Sequence, residues 1–461
     1  MFKKIASTFA NCFKIPELKS RIIFTLIILA VCRVISIIPI PGIDGAGLQA
    51  FFDAQSKAGG GGLMGMYSMF TGGALERCAI GALGIMPYIS ATIIIQLLSA
   101  VVPRLSKLMR EEGGRAKIVQ YGRVLTLLLC IGQGLFMTIS WSRAEGFFQG
   151  FSGDLLMPYM REHMWWYFIQ TVIILTTGTM LLMWFGEQIT ERGIGNGVSL
   201  VITIGILARL PMAGQGLVDM FSRTGDEGGF NPFYAIVLLA LLVSVIAGVI
   251  AITQAQRKVP VQYAQRAVGR KVYQGGTSFM PLRVNYAGVM PVIFASAILM
   301  LPAQVFSKAG EFFSMPFLTK LANMLSDRSP LYLVAYGLMI LFFSYFWVAT
   351  QFNELQIADD LKKYGGYIPG VRPGQATSTF LHNAMSRITL AGAVFLTVIA
   401  VIPIILTTRM GIPDPVSQFF GGTGMLILVG VMLDTMRQME SHLLMRHYDG
   451  FLKKGRIKGR F

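Results

Sequence analysis

The chain has 461 residues, of which 54% are hydrophobic and 14% are charged, and its mean hydropathy is +0.59. A soluble globular domain cannot bury so large an apolar fraction, so the composition excludes that class and predicts an integral membrane protein. The formal net charge of +17 would also suit a nucleic-acid-binding protein, and the position of the charges along the chain decides between these two interpretations.

Ten apolar runs are long enough to cross about 30 Å of hydrocarbon as helices. They lie near residues 22–41, 78–102, 119–140, 164–185, 194–211, 233–253, 286–306, 331–351, 388–408 and 418–436. The first run leads into Pro39-Ile-Pro-Gly42 rather than into a small-residue cleavage site, so it is predicted to remain a span. The sequence therefore predicts an all-α polytopic membrane protein with ten transmembrane helices.

Positive charge is concentrated in alternate segments between these spans. Of the 40 lysines and arginines, 29 fall in one set of segments and 9 in the other, and the remaining two are Arg33 and Arg77. The rich set comprises residues 1–21, 103–123, 186–193, 254–285, 352–387 and the tail from 437. Because cytoplasmic loops carry the excess of lysine and arginine, both termini are predicted to be cytoplasmic, and most of the net charge reflects topology.

A short apolar stretch on the opposite side, from Gly59 to Leu75, has glycines near both ends. Its middle is only about ten residues long, too short to span a bilayer, and glycines give the flanking backbone freedom to hinge. The stretch is predicted to form a mobile short helix. Such an element at membrane depth must be buried in protein or line a cavity, and the alternative is a loop helix that rests on the outer surface.

One motif occurs twice, with an offset of 204 residues. Gly84–Ala91 reads Gly-Ile-Met-Pro-Tyr-Ile-Ser-Ala and Gly288–Ala295 reads Gly-Val-Met-Pro-Val-Ile-Phe-Ala, with five identities in eight positions. Each copy is predicted to place a proline inside a helix and two branched aliphatic residues, four apart, on one face. Apolar segments interrupted by glycine and proline, at equivalent positions of two halves, are typical of a transport path at a repeat interface. The alternative is chance similarity between apolar helices.

The repeat predicts two pseudo-symmetric halves of five helices each. The predicted divisions are the N-terminus 1–21, a first half 22–211 that contains the short helix at about 59–75, a second half 212–436 and the tail 437–461. In the second half, the cytoplasmic loops 254–285 and 352–387 are longer than a connection requires. The first of them alternates apolar with polar and basic residues, as an amphipathic strand or hairpin does. Such loops usually dock a partner, and the alternative is a basic surface against anionic lipid.

The sequence carries little catalytic chemistry. It has no phosphate-binding Gly-x-x-x-x-Gly-Lys-Ser/Thr loop and no His-Glu-x-x-His motif, and its four cysteines form neither a disulfide pattern nor a metal-ligand pattern. The only charge well inside a span is Arg33, which is predicted to face the bundle interior and pair with polar backbone or side chains. No catalytic residue, metal site or cofactor is predicted. An ion-coupled secondary transporter also uses repeats and broken helices, but it would carry ionisable groups at mid-membrane.

Six motifs spread along the chain carry a resemblance to one family. They are Ile38-Pro-Ile-Pro-Gly-Ile-Asp44, Met69-Phe-Thr-Gly-Gly-Ala-Leu75, Leu83–Ala91, Leu182–Gly197, Asn285-Tyr-Ala-Gly-Val-Met-Pro291 and Pro369-Gly-Val-Arg-Pro-Gly374. On these residues the chain resembles the SecY/Sec61-alpha family, the pore subunits of protein-export translocons. The resemblance implies a channel in the plasma membrane that passes unfolded preproteins and releases membrane segments sideways into lipid. It also implies that a partner ATPase or the ribosome, rather than the channel, supplies the energy.

The resemblance implies roles for particular residues. A pore ring of aliphatic side chains falls on Ile85, Ile89, Val198, Ile202, Ile293 and Ile427, for which ordinary helix packing is the alternative. A plug falls on the short helix, with Leu63, Met64, Met66, Tyr67, Met69 and Phe70. A lateral gate between the second and seventh spans has the polar residues Ser90, Gln133 and Asn285. The residues implied to dock a motor or ribosome are Arg266, Arg270, Lys271, Lys362, Lys363 and Arg372.

The partners that the resemblance implies are SecE and SecG in a heterotrimer, the ATPase SecA, the ribosome, preprotein signal sequences, membrane lipid, SecDF and YidC. Two positions depart from the family's usual pattern. Gln265 replaces a residue that is often basic, and Asn353-Glu-Leu-Gln356 replaces a commoner Asn-Pro-Arg-Glu. Contacts at both cytoplasmic loops are therefore expected to differ in detail from those of relatives.

Overall fold

The computed structural model describes residues 15–57, 62–111, 113–144, 151, 153–222, 232–263, 266–268, 271–273, 276–313, 315–325, 329–410, 412, 416, 419 and 423–454. These residues are predominantly helical, and each of the ten predicted spans falls on a helix. The predicted fold class is confirmed. The chain divides into two compact units, which consist of Met1–Pro232, Gly411–Phe419 and Ile427–Phe461 in the first and Phe233–Met410 and Phe420–Leu426 in the second.

The first unit contains helices α1 to α10 and, from Ile427 onward, the last helix, α17. Their bounds are α1 Pro16–Ile35, α2 Gly45–Lys57, α3 Gly62–Thr71, α4 Met86–Val101, α5 Pro103–Arg110, α6 Gly114–Ser142, α7 Pro158–Glu162, α8 Met164–Arg192, α9 Gly197–Leu207, α10 Leu210–Ser222 and α17 Thr423–Lys454. Helices α1, α4, α6, α8, α9 and α17 carry predicted spans. The short helix predicted within residues 59–75 is α3, and its helical structure is confirmed.

The second unit contains the other helices and the strands. Their bounds are α11 Pro232–Gln254, β1 Gln256–Tyr263, β2 Arg266–Val268, β3 Lys271–Tyr273, β4 Thr277–Arg283, α12 Met290–Phe312, α13 Pro316–Met324, α14 Pro330–Gln351, α15 Glu354–Lys363, β5 Gly366–Tyr367 and α16 Gln375–Arg409. Helices α11, α12, α14 and α16 carry predicted spans.

Helix length and hydropathy alone identify six candidate spans among the described residues. They are Ala116–Ser142, Met164–Arg192, Gly197–Met220, Phe233–Gln254, Pro330–Lys363 and Gln375–Leu406. Two apolar helices are shorter, Met86–Val101 and Met290–Leu299, and these are the helices that carry the repeated motif. Helix α4 is short because residues 81–85 form turns before it, whereas the helix that contains Met290–Leu299 continues to Phe312.

The prolines of the repeated motif begin helices rather than interrupt them. Pro87 lies in the first turn of α4, and Pro291 is the second residue of α12. The prediction of a proline inside each helix is therefore wrong for both copies. Proline has no N–H to donate and has a φ angle suited to a helix start, so it is tolerated well in the first turn. For the same reason the predicted span 78–102 is helical only from Met86 onward.

The two long loops, 254–285 and 352–387, contribute strands to one small sheet with the order β4-β1-β5. Strands β1 and β4 are antiparallel, so the predicted hairpin of the first loop is confirmed. Strand β5 comes from the second loop and joins β1 through the pair Tyr263 and Gly366, which the sequence did not predict. One face of the sheet covers a hydrophobic core of Val259, Val261, Leu282, Phe352, Ile368, Leu381, Ala384 and Met385. The loops therefore form a folded platform.

Candidate functional site

The two copies of the repeated motif have the same local backbone structure. Gly84 and Gly288, the first residues of the copies, have φ angles of +59° and +64° in the left-handed region that favours glycine. In each copy the amide of the sixth motif residue donates a hydrogen bond to the carbonyl of the second, at 3.1 Å in the first copy and 3.3 Å in the second. The equivalence thus extends from sequence to backbone conformation, which favours a structural repeat over chance similarity.

The aliphatic residues predicted for a pore ring are mostly buried. Ile85 and Ile89 are 2% and 4% exposed, and no more than 1% of Ile202, Ile293 and Ile427 is exposed. Val198 is half-buried. Ile293 belongs to the second unit and the other five residues to the first. Burial is compatible with a closed constriction and with plain helix packing, so the ring stays a prediction.

Helix α9, which carries two of these residues, is fixed by its glycine-rich start. Asn196 is the N-cap, and its side-chain oxygen accepts a hydrogen bond from the amide of Ser199 at 3.3 Å. A Cβ atom on Gly197 would overlap the carbonyl oxygen of Gly186 in α8, so only glycine permits this approach. The tight contact between α8 and α9 fixes the position of Ile202.

The C-terminal end of α3 packs against α9 and against the bend that precedes α4. A Cβ atom on Gly205 of α9 would lie 3.3 Å from the carbonyl oxygen of Phe70. A Cβ atom on Gly84 would lie 3.1 Å from Cγ2 of Thr71. Both glycines are close in sequence to predicted ring residues, so the short helix ends beside two parts of the predicted ring.

Three of the residues predicted for the plug are buried, which is contrary to the alternative of a helix that rests on the outer surface. These are Tyr67, Met69 and Phe70. The Tyr67 hydroxyl donates a hydrogen bond to the carbonyl of Leu83 at 3.3 Å, and burial raises the pKa of this hydroxyl above its usual range, so it remains a donor. The side chains of Leu63, Met64 and Met66 lie outside the described part of the structure.

Arg33 of α1 contacts the backbone at the end of α3. Its Nη1 donates a hydrogen bond to the carbonyl oxygen of Gly72 at 3.1 Å. The C-terminal end of a helix carries unsatisfied carbonyl groups and a partial negative charge, so a guanidinium group is favourable there. The predicted pairing of Arg33 with polar backbone is confirmed.

The sequence analysis missed a buried polar cluster that consists of Ser68, Glu76 and Arg209. Ser68 Oγ donates a hydrogen bond to Glu76 Oε1 at 2.6 Å, and Arg209 Nη2 forms an ion pair with the same carboxylate oxygen. Arg209 Nη2 also donates to Ser68 Oγ at 2.5 Å. The available signal was a pair of opposite charges, each at one end of an apolar run, but 133 residues separate Arg209 from Glu76.

The residues predicted for the lateral gate lie on three elements. Ser90 is buried in α4, and Gln133 is half-buried in α6. Asn285 precedes α12, and its Nδ2 donates a hydrogen bond to the carbonyl oxygen of Gly288 at 2.8 Å. Asn285 therefore stabilises the second of the two repeated bends, a role that the sequence did not suggest.

The described residues among those predicted for docking lie on or near the sheet of the two long loops. Arg372 is exposed in a turn between Gly370 and Gly374, and its carbonyl accepts a hydrogen bond from Thr377 Oγ1 at 2.9 Å. Lys362 and Lys363 end α15, a helix that Asn353 caps by accepting a hydrogen bond from the amide of Gln356. Arg266 and Lys271 begin β2 and β3, and their side chains lie outside the described part, as do Gln265 and Arg270 entirely.

A comparison with known families gives a match to the family described as SecY over residues 79–436. The chain belongs to the SecY family. The protein translocase subunit SecY of Chlamydia trachomatis serovar D is 44% identical over 467 residues, which cover 98% of this chain and 100% of that protein. SecY-family membership makes the chain a multi-pass translocase subunit, and it leaves the alternative of an ion-coupled secondary transporter without support.

Solved structures agree on the fold of this SecY-family chain. One, described as the structure of a protein conducting channel, covers 97% of this chain and 99% of its own, with 18% identity and a TM-score of 0.62. Another is Sec61 in the canine ribosome-channel complex from the endoplasmic reticulum, with the same coverage of both chains, 18% identity and a TM-score of 0.56. At this level of identity the likeness concerns the fold alone.

Proposed function

We propose that the chain forms the protein-conducting channel of a translocon and that at rest it is closed by an aliphatic ring and by α3 acting as a plug. The packing of α3 is the observation that carries this proposal. Its C-terminal end contacts Gly84, next to Ile85, and Gly205, three residues after Ile202. A short helix in that position obstructs a path that runs along these side chains.

The proposed ring acts as a flexible hydrophobic seal. Its members are Ile85, Ile89, Val198, Ile202, Ile293 and Ile427. A narrow constriction of branched apolar side chains is poorly wetted, so ions do not cross it, and the side chains yield around an extended polypeptide. Ile89 and Ile293 occupy equivalent positions in the repeated motif, so the proposed halves 22–211 and 212–436 each contribute the same residue.

The proposed lateral gate lets signal sequences and membrane segments reach lipid. It opens between α4 and α12 and includes Ser90, Gln133 and Asn285. In an apolar environment such side chains favour hydrogen bonds to one another or to backbone, so their bonds set how readily the two helices separate. A passing signal sequence would compete for the hydrogen bond that Asn285 Nδ2 donates to the Gly288 carbonyl oxygen.

The proposed setting is the plasma membrane, with both termini in the cytoplasm, as the distribution of lysine and arginine favours. There the platform of the two cytoplasmic loops presents Lys362, Lys363 and Arg372 to an anionic face of SecA or the ribosome. Arg266, Arg270 and Lys271 of the loop 254–285 are proposed to add to this docking surface. By resemblance to the family, SecE and SecG complete the channel, and SecDF and YidC contact it. Energy comes from the docked partner.

Crosslinking to a polypeptide stalled halfway through export tests the proposed path. Ile89→Cys and Ile293→Cys are placed separately in a chain whose native cysteines are replaced by alanine, a small side chain suited to the buried positions of Cys32, Cys78 and Cys130. Both cysteines are expected to form disulfides with a cysteine in the stalled polypeptide. The matched controls are Ile94→Cys and Ile298→Cys, five residues further along each helix and therefore about 140° around it.

Ile94 is 37% exposed and Ile298 is half-buried, so both control cysteines are chemically accessible to a neighbouring chain. They are expected to stay unlinked to the polypeptide. Equal crosslinking at all four positions, or crosslinking at the control positions alone, would contradict a path along the proposed ring.

A further inference from the structure

The polar cluster of Ser68, Glu76 and Arg209 joins three separate segments of the first unit. Ser68 lies on α3, Glu76 in the turn that follows α3, and Arg209 between α9 and α10. All three side chains are largely removed from solvent, since Ser68 is fully buried and the Glu76 and Arg209 side chains are 11% and 18% exposed. The cluster therefore connects α3 to the segment between α9 and α10.

Both charged side chains of this cluster form a hydrogen bond with the same hydroxyl group, that of Ser68. Glu76 and Arg209 form an ion pair, and the Ser68 hydroxyl donates to the carboxylate while it accepts from the guanidinium. Hydrogen bonds to charged groups are stronger than those between neutral groups, and a low local dielectric strengthens them further. Of the three residues only Ser68 belongs to α3, so a movement of α3 that leaves Glu76 and Arg209 in place breaks both bonds of the Ser68 hydroxyl and keeps the ion pair.

The backbone around Ser68 makes this residue a suitable anchor. The Ser68 carbonyl accepts hydrogen bonds from the amide of Gly73 at 2.9 Å and from Thr71 Oγ1 at 3.2 Å. Gly72 and Gly73 have φ angles of +65° and +83°, which end the helix in a glycine cap. The last turn of α3 is thus ordered around Ser68, and the helix and its anchor move as one body.

We propose that Glu76 and Arg209 are positioning residues that hold α3 in the closed channel by binding the Ser68 hydroxyl. This inference rests on the proposed function, since it assigns the cluster to the resting state of the channel. The paired side chains offer one hydroxyl group both an acceptor, the Glu76 carboxylate, and a donor, the Arg209 guanidinium. A polypeptide that displaces α3 breaks two charge-assisted hydrogen bonds, and these re-form when the path empties. The cluster thereby favours closure after each passage.

The test measures the resting ion conductance of the full-length channel, with its partner subunits, in planar bilayers. Ser68→Ala removes the anchor, and Glu76→Gln and Arg209→Gln each remove one charge of the ion pair. Each variant is expected to raise resting conductance at least tenfold, which corresponds to about 1.4 kcal/mol less closed-state stability. The charge exchange of Glu76→Arg with Arg209→Glu is expected to return the conductance toward the wild-type value, because the pair is restored.

Two controls separate a gating role from a loss of stability. Arg123→Gln removes another ion pair between helices of the same unit, Arg123 with Glu187 at 2.7 Å, and is expected to leave the resting conductance unchanged. Deletion of residues 63–69 from α3 is expected to raise the conductance whether or not the cluster matters. Amounts of inserted channel are compared for every variant, and Ser68→Ala, which removes one hydroxyl group only, remains informative where a charge variant inserts poorly.

The outcomes distinguish this inference from the function on which it rests. If the deletion raises the conductance while Ser68→Ala and Glu76→Gln do not, the positioning role is overturned and the plug remains. If the deletion itself has no effect, α3 is not a plug. If Arg123→Gln raises the conductance as much as Glu76→Gln, the leak reflects general destabilisation and the inference is also overturned.

Discussion

Gly72 and Gly205 approach each other so closely that a Cβ atom on Gly72 would lie 2.9 Å from the Cα atom of Gly205. Gly72 directly follows α3, and its φ of +65° lies in the left-handed region that favours glycine. Gly205 lies within α9. The two glycines allow the backbones to meet with no side chain between them. The position of the short helix therefore depends on the absence of a side chain at residue 205.

The first prediction is that Gly205→Leu displaces α3 and raises the resting conductance of the channel. A Cβ atom at residue 205 would lie 3.3 Å from the carbonyl oxygen of Phe70 and 3.4 Å from the amide nitrogen of Gly72, so the rest of a leucine side chain has no space. Gly214→Leu is the matched control, because a Cβ atom at that glycine meets nothing within 4 Å. Equal conductance of the two variants would contradict the role assigned to the contact.

The positions of the ten helices could be predicted because the bilayer imposes a simple rule. A chain in hydrocarbon must satisfy its backbone internally, so a long apolar run has little choice but to form a helix. The rule does not tell where a helix begins inside such a run. Residues 78–85 are apolar and buried for the most part, yet Gly84 turns the chain and α4 begins only at Met86, with Pro87 in its first turn. The spacing of apolar side chains does not distinguish a buried turn from the first turn of a helix. For that reason the prediction of a proline inside each helix was wrong.

Contacts between distant segments could not be predicted from the sequence. Glu76 and Arg209 each look like a charge at the edge of an apolar run, and only the packing of α9 beside the turn after α3 makes them a pair. In the same way, β5 has two residues, too few for a sequence pattern, and its partner Tyr263 lies in another loop. Arg33 was predicted to find a polar partner, but its identity as the Gly72 carbonyl required the structure.

The second prediction concerns docking and uses Arg372→Glu. Arg372 is exposed between Gly370 and Gly374, whose φ angles of +81° and +102° fix the turn, so its charge is presented on a rigid support. Reversal of this charge is expected to slow translocation by about tenfold, a loss of about 1.4 kcal/mol at an anionic partner face. The loss is expected to shrink at high ionic strength, where salt screens exposed charges.

Translocation into inverted membrane vesicles measures this effect, and the amount of inserted channel is expected to stay normal. Arg387→Glu is the control, since it reverses another exposed arginine of the 352–387 loop that lies outside the turn, within α16. Equal rates for Arg372→Glu and the unaltered channel would remove Arg372 from the docking surface.

The third prediction is that the pairing of the two loops matters for docking. A Cβ atom on Gly366 would lie 3.0 Å from Cε1 of Tyr263 and 3.3 Å from Cγ1 of Val261, so Gly366→Val is expected to separate β5 from β1. The helices should insert normally, because the sheet lies outside the spans, but translocation should slow as with Arg372→Glu. Gly276→Val is the control, since its Cβ atom meets nothing within 4 Å. Normal translocation by Gly366→Val would show that partner docking does not need the pairing.

The last prediction tests the seal itself with the double substitution Ile89→Asn and Ile293→Asn. The two isoleucines are 4% and 1% exposed and occupy equivalent positions after equivalent bends, so the same polar group enters each half at the same place. If they line a constriction, two amide groups wet it, and the resting channel admits ions because dewetting requires an apolar lining. If they are packing residues, two buried amides without partners lower the free energy of unfolding, by about 1 to 3 kcal/mol each, and no leak appears.

Bilayer conductance and thermal unfolding in detergent, measured on the same preparations, separate these outcomes. Ile94→Asn with Ile298→Asn makes the same chemical change on the other faces of the two helices, and it should leave the conductance at its resting value. A loss of stability in the first double variant with an unaltered ion permeability would assign these isoleucines to packing.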